Sequence, residues 1–341
     1  RVVVLSEATA VATETGREAT VTALAVAPNP LAGIGRLRYD LATAAEVEIV
    51  VFSTLGREVT RLGFGGWQLS GVEPRPAQVT ARHVIETVFD AGITLIDTAD
   101  SYQLGGEEPG HNERLLSETV ASWKGQADAL LIASKGGRSV TETGERYCNA
   151  SPSALRAACE GSLRRLGTDH IELYYLHRPD PAVPFEDSLG CLSDLAEEGS
   201  IRSIGVSNVD EAQLHTAHAL LGPRLVAVQN EFSPWNVESE PVVRLAEQLG
   251  LAFIGYAPFG GVDRSGQLGS SSDLANVARR YDATPHELTL AWILAQSPAM
   301  FTIPATRTAG RVASLVNGAS LDLSTNDVRE LSDIFAGLRN A

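Results

Sequence analysis

The chain has 341 residues, of which 44% are hydrophobic and 20% charged, proportions that exclude a disordered or fibrous protein. With 27 basic against 42 acidic residues the formal charge is −15, a field that repels nucleic acid and anionic membrane surface, so an anionic ligand needs a local cationic pocket. No apolar run reaches the roughly 18 residues of a membrane-spanning helix, and the opening RVVVLSEATA is too soon interrupted for a secretion signal.

Residues 1 to about 51 hold no Trp, Cys or Lys and show no helix–strand alternation. RLRYDLATAAEVEIVVF, residues 36–52, alternates apolar and polar positions and predicts two strands around a turn. With APNPLAG before it and STLGREV after it, the stretch resembles the start of the β-sandwich sorting module at the end of some secreted proteins, without the closing strands. An extra β-hairpin packed on the base of the next domain is the equal alternative. The division expected is a short β-rich extension over 1–51 and a large domain over 52–341, with the junction between residues 52 and 60.

Beyond residue 58 the pattern changes to short runs rich in β-branched residues, each followed by a segment of helical period. The runs are RLGFGG, ITLIDT, ALLIAS, IELYYLH, IRSIGVSN, LVAVQNEF, AFIGYAPF and MFTIPA. Between them lie ARHVIETVFDAG, NERLLSETVASW, PSALRAACEGSLRRLG, EDSLGCLSDLAEEG and EPVVRLAEQLG, several ending in the glycine that stops a helix. Strands alternating with helices are parallel and buried on both faces. Eight of them close into an α/β fold of the (β/α)8, or TIM, barrel type. The open doubly wound sheet usually carries G-x-G-x-x-G after its first strand, and that fingerprint is missing.

Barrel chemistry sits at the C-terminal ends of the strands. Those ends bring Asp97, with Tyr102 in the loop after it, Lys135, His177, Ser207 with Asn208, and Gln229 to one mouth. Only Lys124 and Lys135 are lysines among the 27 basic residues. Lysine is a compact cation that can approach a single oxygen, which arginine's planar fork cannot. Beside a phenol it favours the phenolate, so Tyr102 is expected to have a lowered pKa and to serve as a general acid. Asp97 would keep the ammonium charged, and His177 would hold a carbonyl oxygen near the phenol. Taken singly, each residue has an ordinary structural reading, such as Asp180 pairing with Arg178 on the surface. Cys148, Cys159 and Cys191 lack metal-ligand spacing and read as reduced thiols, which suits a cytoplasmic protein.

From about residue 53 onward the chain resembles the aldo-keto reductases. The resemblance rests on DAGITLIDTADSY, IASKGG, LRRLGTDHIELYYLHRPD, IRSIGVSN, VQNEFSPW, GYAPFGG and IPATRTAGR, in that order. It implies reduction of an aldehyde or ketone by NADPH, with Asp97, Tyr102, Lys135 and His177 as the catalytic tetrad. It implies that Ser207, Asn208 and Gln229 hold the carboxamide of the nicotinamide and that Phe232 lies against its ring. Gly66 and Trp67, and the run Tyr256, Ala257, Pro258 and Phe259, would line the cofactor channel. Thr306, Arg307 and Arg311 would meet the 2′-phosphate, although Ala305 and Leu315 depart from the Lys and Asn found there in other members. ACEGSLRRLG and LYYLHRPDPAVPFEDS are similar to bacterial members that include pyridoxal reductases.

Three readings follow: a carbonyl reductase, a slow binding or regulatory subunit on the same barrel, and a Schiff-base chemistry on Lys135. Asp97 beside the lysine opposes the last, because a Schiff-base lysine needs lowered basicity. The partner expected is a small carbonyl compound, with no nucleic acid and no membrane. Of the pocket loops QLGGEEPGHNER, GGRSVTETGERYCNASP and GGVDRSGQLGSSS, the second and third carry little shape information, so the physiological substrate does not follow, and neither does the oligomeric state.

Overall fold

A computed structural model describes residues 2–3, 9–13, 48–52, 61–107 and 109–339. At the start of the chain β1 (Val2–Val3), β2 (Thr9–Thr13) and β3 (Glu48–Phe52) pair antiparallel in that order. The second half of the expected 36–52 hairpin is thus a strand, partnered by β2, while its first half and the 53–60 junction lie outside the described residues.

The large domain is a parallel barrel. Its strands are β4 (Gly63–Gly65), β5 (Leu95–Asp97), β6 (Leu131–Gly136), β9 (Ile171–Leu176), β10 (Ile201–Ser207), β11 (Leu225–Glu231), β12 (Ala252–Tyr256) and β13 (Met300–Ile303). Each pairs parallel with its neighbour, from β4 round to β13. A parallel bridge from Leu62 to Thr302 and a bond from Gly65 N to Pro304 O close the ring. All eight runs expected from the sequence are barrel strands. Two further strands, β7 (Arg138–Val140) and β8 (Arg146–Cys148), form a hairpin on the loop after β6.

Helices alternate with the strands because the sequence starts and stops them in the right places. Ser151 caps Pro152–Leu166, and Asp210 and Thr284 build capping boxes for Glu211–Leu221 and Pro285–Leu294. Gly167 and Gly250 end their helices with φ of 70°, which only glycine adopts without strain.

The side-chain period of two sorts each strand between two cores. Leu95, Ala133, Leu173, Tyr175, Ala227, Ile254 and Phe301 fill the barrel. The alternate residues, Ile96, Leu176, Ile204 and Val228 among them, pack outward with the helices. Counting on by two from the inner set gives Asp97, Lys135, His177, Gln229 and Tyr256. The expected site residues are therefore the top layer of the barrel's own filling. Among the described residues no helix is long and apolar enough to cross a membrane, and the three cysteines are free thiols.

Candidate active site

Lys135 is buried at the centre of the mouth. Its Nζ donates to Asp97 Oδ1 at 2.5 Å, to the Thr98 carbonyl at 2.9 Å and to the Tyr102 hydroxyl at 2.9 Å. All three ammonium donors are thereby used, and the tetrahedral fan fits three oxygens where a planar guanidinium would not. Asp97 Oδ2 accepts from Gln229 Nε2 at 2.8 Å, so the carboxylate is bonded on both oxygens. His177 stands edge-on to Tyr102, with ring centres 5.9 Å apart and Nδ1 3.4 Å from Ser101 Oγ. The structure brings all four expected catalytic residues together.

A second network holds the next two strand ends. Ser207 Oγ donates to the Gln229 carbonyl at 2.7 Å. Asn208, at φ 59°, donates from Nδ2 to the His177 carbonyl and accepts at Oδ1 from Arg178 and Tyr256. Asp180 does not pair with Arg178; its carboxylate accepts from the backbone N–H groups of Ala150 and Ala182. Asn112 ties the segment after β4 to the one after β5, bonding Gly66 O, Ser70 Oγ and Thr98 Oγ1.

Burial governs the titrations. Lys135 is drawn below the usual lysine value by desolvation, against which the Asp97 charge pushes. His177 is held well below the usual imidazole value, first by burial and then by the Lys135, Arg138, Arg178 and Arg146 charges. Tyr102 departs from expectation: burial, and after it the Asp97 carboxylate, raise it well above an ordinary phenol. The lysine contact does not outweigh the dry, anionic surroundings. Tyr102 is therefore held as a neutral phenol, with the Lys135 ammonium donating to its oxygen.

A cavity of about 1080 Å³ opens over these groups and extends past Phe259, Thr306 and Arg307 to Arg311. Asp97, Tyr102, His177, Ser207, Asn208, Gln229, Trp67, Tyr256, Ala257 and Pro258 also line it. Two expected lining residues do not. Phe232 is fully buried in the outer core, against Phe253 and Trp292, and Tyr256 supplies the aromatic wall instead. Gly65 lines the cavity in place of Gly66, whose N–H bonds the Asp97 carbonyl and whose Cα faces Asn112.

The sequence pattern of the aldo/keto reductase family matches residues 61–336. The chain belongs to that family. It is 31% identical over 317 residues to a probable aldo-keto reductase 1 of Glycine max, covering 85% of this chain and 89% of that one. It is 33% identical over 285 residues to an uncharacterised oxidoreductase of Schizosaccharomyces pombe, covering 82% and 86%. Among solved structures it superposes on an aldo/keto reductase from Klebsiella pneumoniae crystallised with NADP and acetate. That likeness has a TM-score of 0.68 at 25% identity, over 82% of this chain and 93% of that one.

In this aldo/keto reductase most residues missed from sequence come from the loops read as carrying little shape information, and His286 comes from the helix Pro285–Leu294. Arg138 and Arg146 enter the cavity from the β7–β8 hairpin, and Ser265, Gly266 and His286 enter it near Phe259. His286 Nε2 lies 3.1 Å from Ser265 Oγ, and its ring meets Phe259 edge-on at 5.2 Å. Arg146 stacks on Trp67, with its guanidinium carbon 4.0 Å from the ring centre.

Proposed function

We propose that this enzyme reduces an aldehyde or ketone to the alcohol with NADPH, Tyr102 acting as general acid. The observation that carries the reading is Lys135 Nζ, bonded at once to Asp97 and to the Tyr102 hydroxyl on the wall of the large cavity. Bound NADPH supplies the hydride. The Tyr102 hydroxyl gives its proton to the carbonyl oxygen, and the ammonium 2.9 Å away neutralises the phenolate that forms. Asp97 and Gln229 hold that ammonium in register. A neutral His177 whose Nδ1 accepts from Ser101 has its Nε2–H free to orient the carbonyl oxygen.

The donor set fits the cofactor. Arg307 bonds only the Pro74 carbonyl and Arg311 has no ion pair among the described residues, so both guanidinium groups remain for a 2′-phosphate beside Thr306. Ser207, Asn208 and Gln229 are the groups for the carboxamide, with Tyr256 along the ring. The NADP-bound Klebsiella pneumoniae relative supports the same cofactor class.

We place the domain division near residue 52, a reading supported by the family match beginning at residue 61. The likeness to pyridoxal reductases makes pyridoxal the first carbonyl to assay. Tyr102→Phe should lower turnover by about 10²- to 10⁴-fold and leave NADPH binding intact; turnover retained in that variant removes Tyr102 from the acid role. Ordinary turnover, about 1–10³ s⁻¹, on a panel of aldehydes decides against a slow binding subunit.

A further inference from the structure

Three arginines at the reacting end of the cavity have no acidic partner among the described residues. The Arg138 side chain makes no hydrogen bond or ion pair with any described residue. Arg146 gives its terminal nitrogens to the carbonyls of Ser101 and Gln103, at 2.9 and 3.1 Å, clasping the chain on either side of Tyr102. Arg178 donates to the Asn208 amide oxygen, and its Nε is buried without a partner among the described residues. Other arginines of the chain do meet acids: Arg75 pairs with Glu107, Arg156 with Glu198 and Arg165 with Glu113. In a chain of 42 acidic residues against 27 basic, these three guanidinium groups line one cavity with no acidic partner among the described residues.

The hairpin register sharpens the point. Arg138 lies opposite Cys148 and Val140 opposite Arg146, so both arginines belong to one face of the ribbon. Like charges so placed disfavour each other, and burial followed by the Arg138 charge brings Arg146 down to about 10. An oxyanion beside them relieves the repulsion and fills the empty donors. The contacts run from Arg146 to Trp67, from Trp67 to Tyr102 at 5.0 Å, and from Tyr102 to His177. These guanidinium groups therefore sit by the reacting atoms, whereas Arg307 and Arg311 serve the far end.

We propose that the carbonyl substrate carries an oxyanion, a carboxylate or a phosphate, held by Arg138 with Arg146 and Arg178 beside it. The anchored anion sets the carbonyl against Tyr102 and His177. This rests on the reductase reading and narrows its substrate class.

The test compares kcat/KM, with NADPH, for three aldehydes on one scaffold: 4-carboxybenzaldehyde, 4-formylphenyl phosphate and the uncharged methyl 4-formylbenzoate. One of the two anions should exceed the ester by about 10- to 100-fold, and which one it is separates carboxylate from phosphate. Arg138→Gln should bring that ratio close to one, and Arg138→Lys should keep part of it. A wild-type ratio near one, with the ester still turned over, overturns the oxyanion site and leaves the reductase reading standing. An Arg138→Gln enzyme that keeps the ratio but binds NADPH tenfold more weakly, read by cofactor fluorescence, also overturns it, because the arginine then serves the cofactor. If no aldehyde is turned over, the reductase reading fails and the proposal falls with it.

Discussion

The Lys135 ammonium reaches the Tyr102 hydroxyl at 2.9 Å while bonded to Asp97 on its other side. Lys135→Met removes the charge that meets the phenolate and should lower kcat by about 10²- to 10⁴-fold. It also strands a buried carboxylate without its cation, leaving Gln229 and the Tyr102 hydroxyl to bond it, at a cost of about 3–5 kcal/mol in a urea melt. Lys135→Arg should not restore kcat, since a planar fork cannot meet Asp97, Thr98 and Tyr102 together. A wild-type rate in the arginine variant would show that any cation suffices.

The pH–rate profile should carry the signature of this arrangement. Tyr102 is raised well above an ordinary phenol and Lys135 is lowered from an ordinary ammonium. On the basic side the lysine therefore loses its proton before the tyrosine, and the limb where kcat/KM falls belongs to Lys135. Asp97 opposes the lowering of Lys135. Asp97→Asn should accordingly move that limb to lower pH, besides reducing its height. A limb that stays in place in the variant would assign it to a group outside the pair.

His177 makes stability depend on pH in the acid direction. Its folded-state value lies well below the 6.5 of an open imidazole, with burial as the first cause. Below pH 6.5 the unfolded chain takes up a proton that the folded one refuses. The stability contributed by the neutral imidazole is thus complete above 6.5 and drains away as pH falls toward the folded value, by at most about 1.4 kcal/mol per pH unit. The stability difference between wild type and His177→Asn, followed by urea titration from pH 7.5 to 5, should shrink on acidification. A constant difference would mean that His177 protonates freely in the fold.

The two-residue period of the strands explains both what was legible and what was misplaced. Strand runs, glycine stops and strand-end chemistry are local features, and they carried the barrel and the meeting of Asp97, Tyr102, Lys135 and His177, while the Tyr256–Phe259 wall came from the family resemblance. Phe232 falls on the parity of Val228, the outward set, so counting by two from Gln229 would have placed it in the core where the structure has it. Gly65, in register with Asp97, has the inward parity that Gly66 lacks. Other features had no local signal. The helix Gly261–Ser270 forms from glycine- and serine-rich sequence that propensity argues against. The hairpin arginines acquire their meaning from Trp67 and Tyr102, distant in sequence. The raised Tyr102 value comes from burial, which only the assembled barrel creates.

Inside the barrel, Gly205 is required by Tyr175. A Cβ at Gly205 would run into the Cε1–Cδ1 edge of Tyr175, and the ring is fully buried beneath Lys135. Gly205→Ala overpacks a closed space and should cost about 1–3 kcal/mol, seen as a lower melting temperature. The double variant Gly205→Ala with Tyr175→Phe should recover little, because the clash is with the ring edge and not the hydroxyl. Tyr175→Leu, which removes that edge, should recover more. Equal melting of the alanine variant and the wild type would show that the ring has room to move.

The far end of the cavity decides between the two nicotinamide cofactors. Arg311 lies at the turn into the helix Val312–Ser320, where free backbone N–H groups add to its charge, and Arg307 lines the same end. If these groups hold a 2′-phosphate, Arg311→Ala should raise the Kd for NADPH by about 10- to 100-fold. NADH, which lacks that phosphate, should shift far less. Both affinities are read from quenching of protein fluorescence on titration. An equal loss for the two would move Arg311 from the 2′-phosphate to a group the cofactors share, and would leave the oxyanion site at Arg138 untouched.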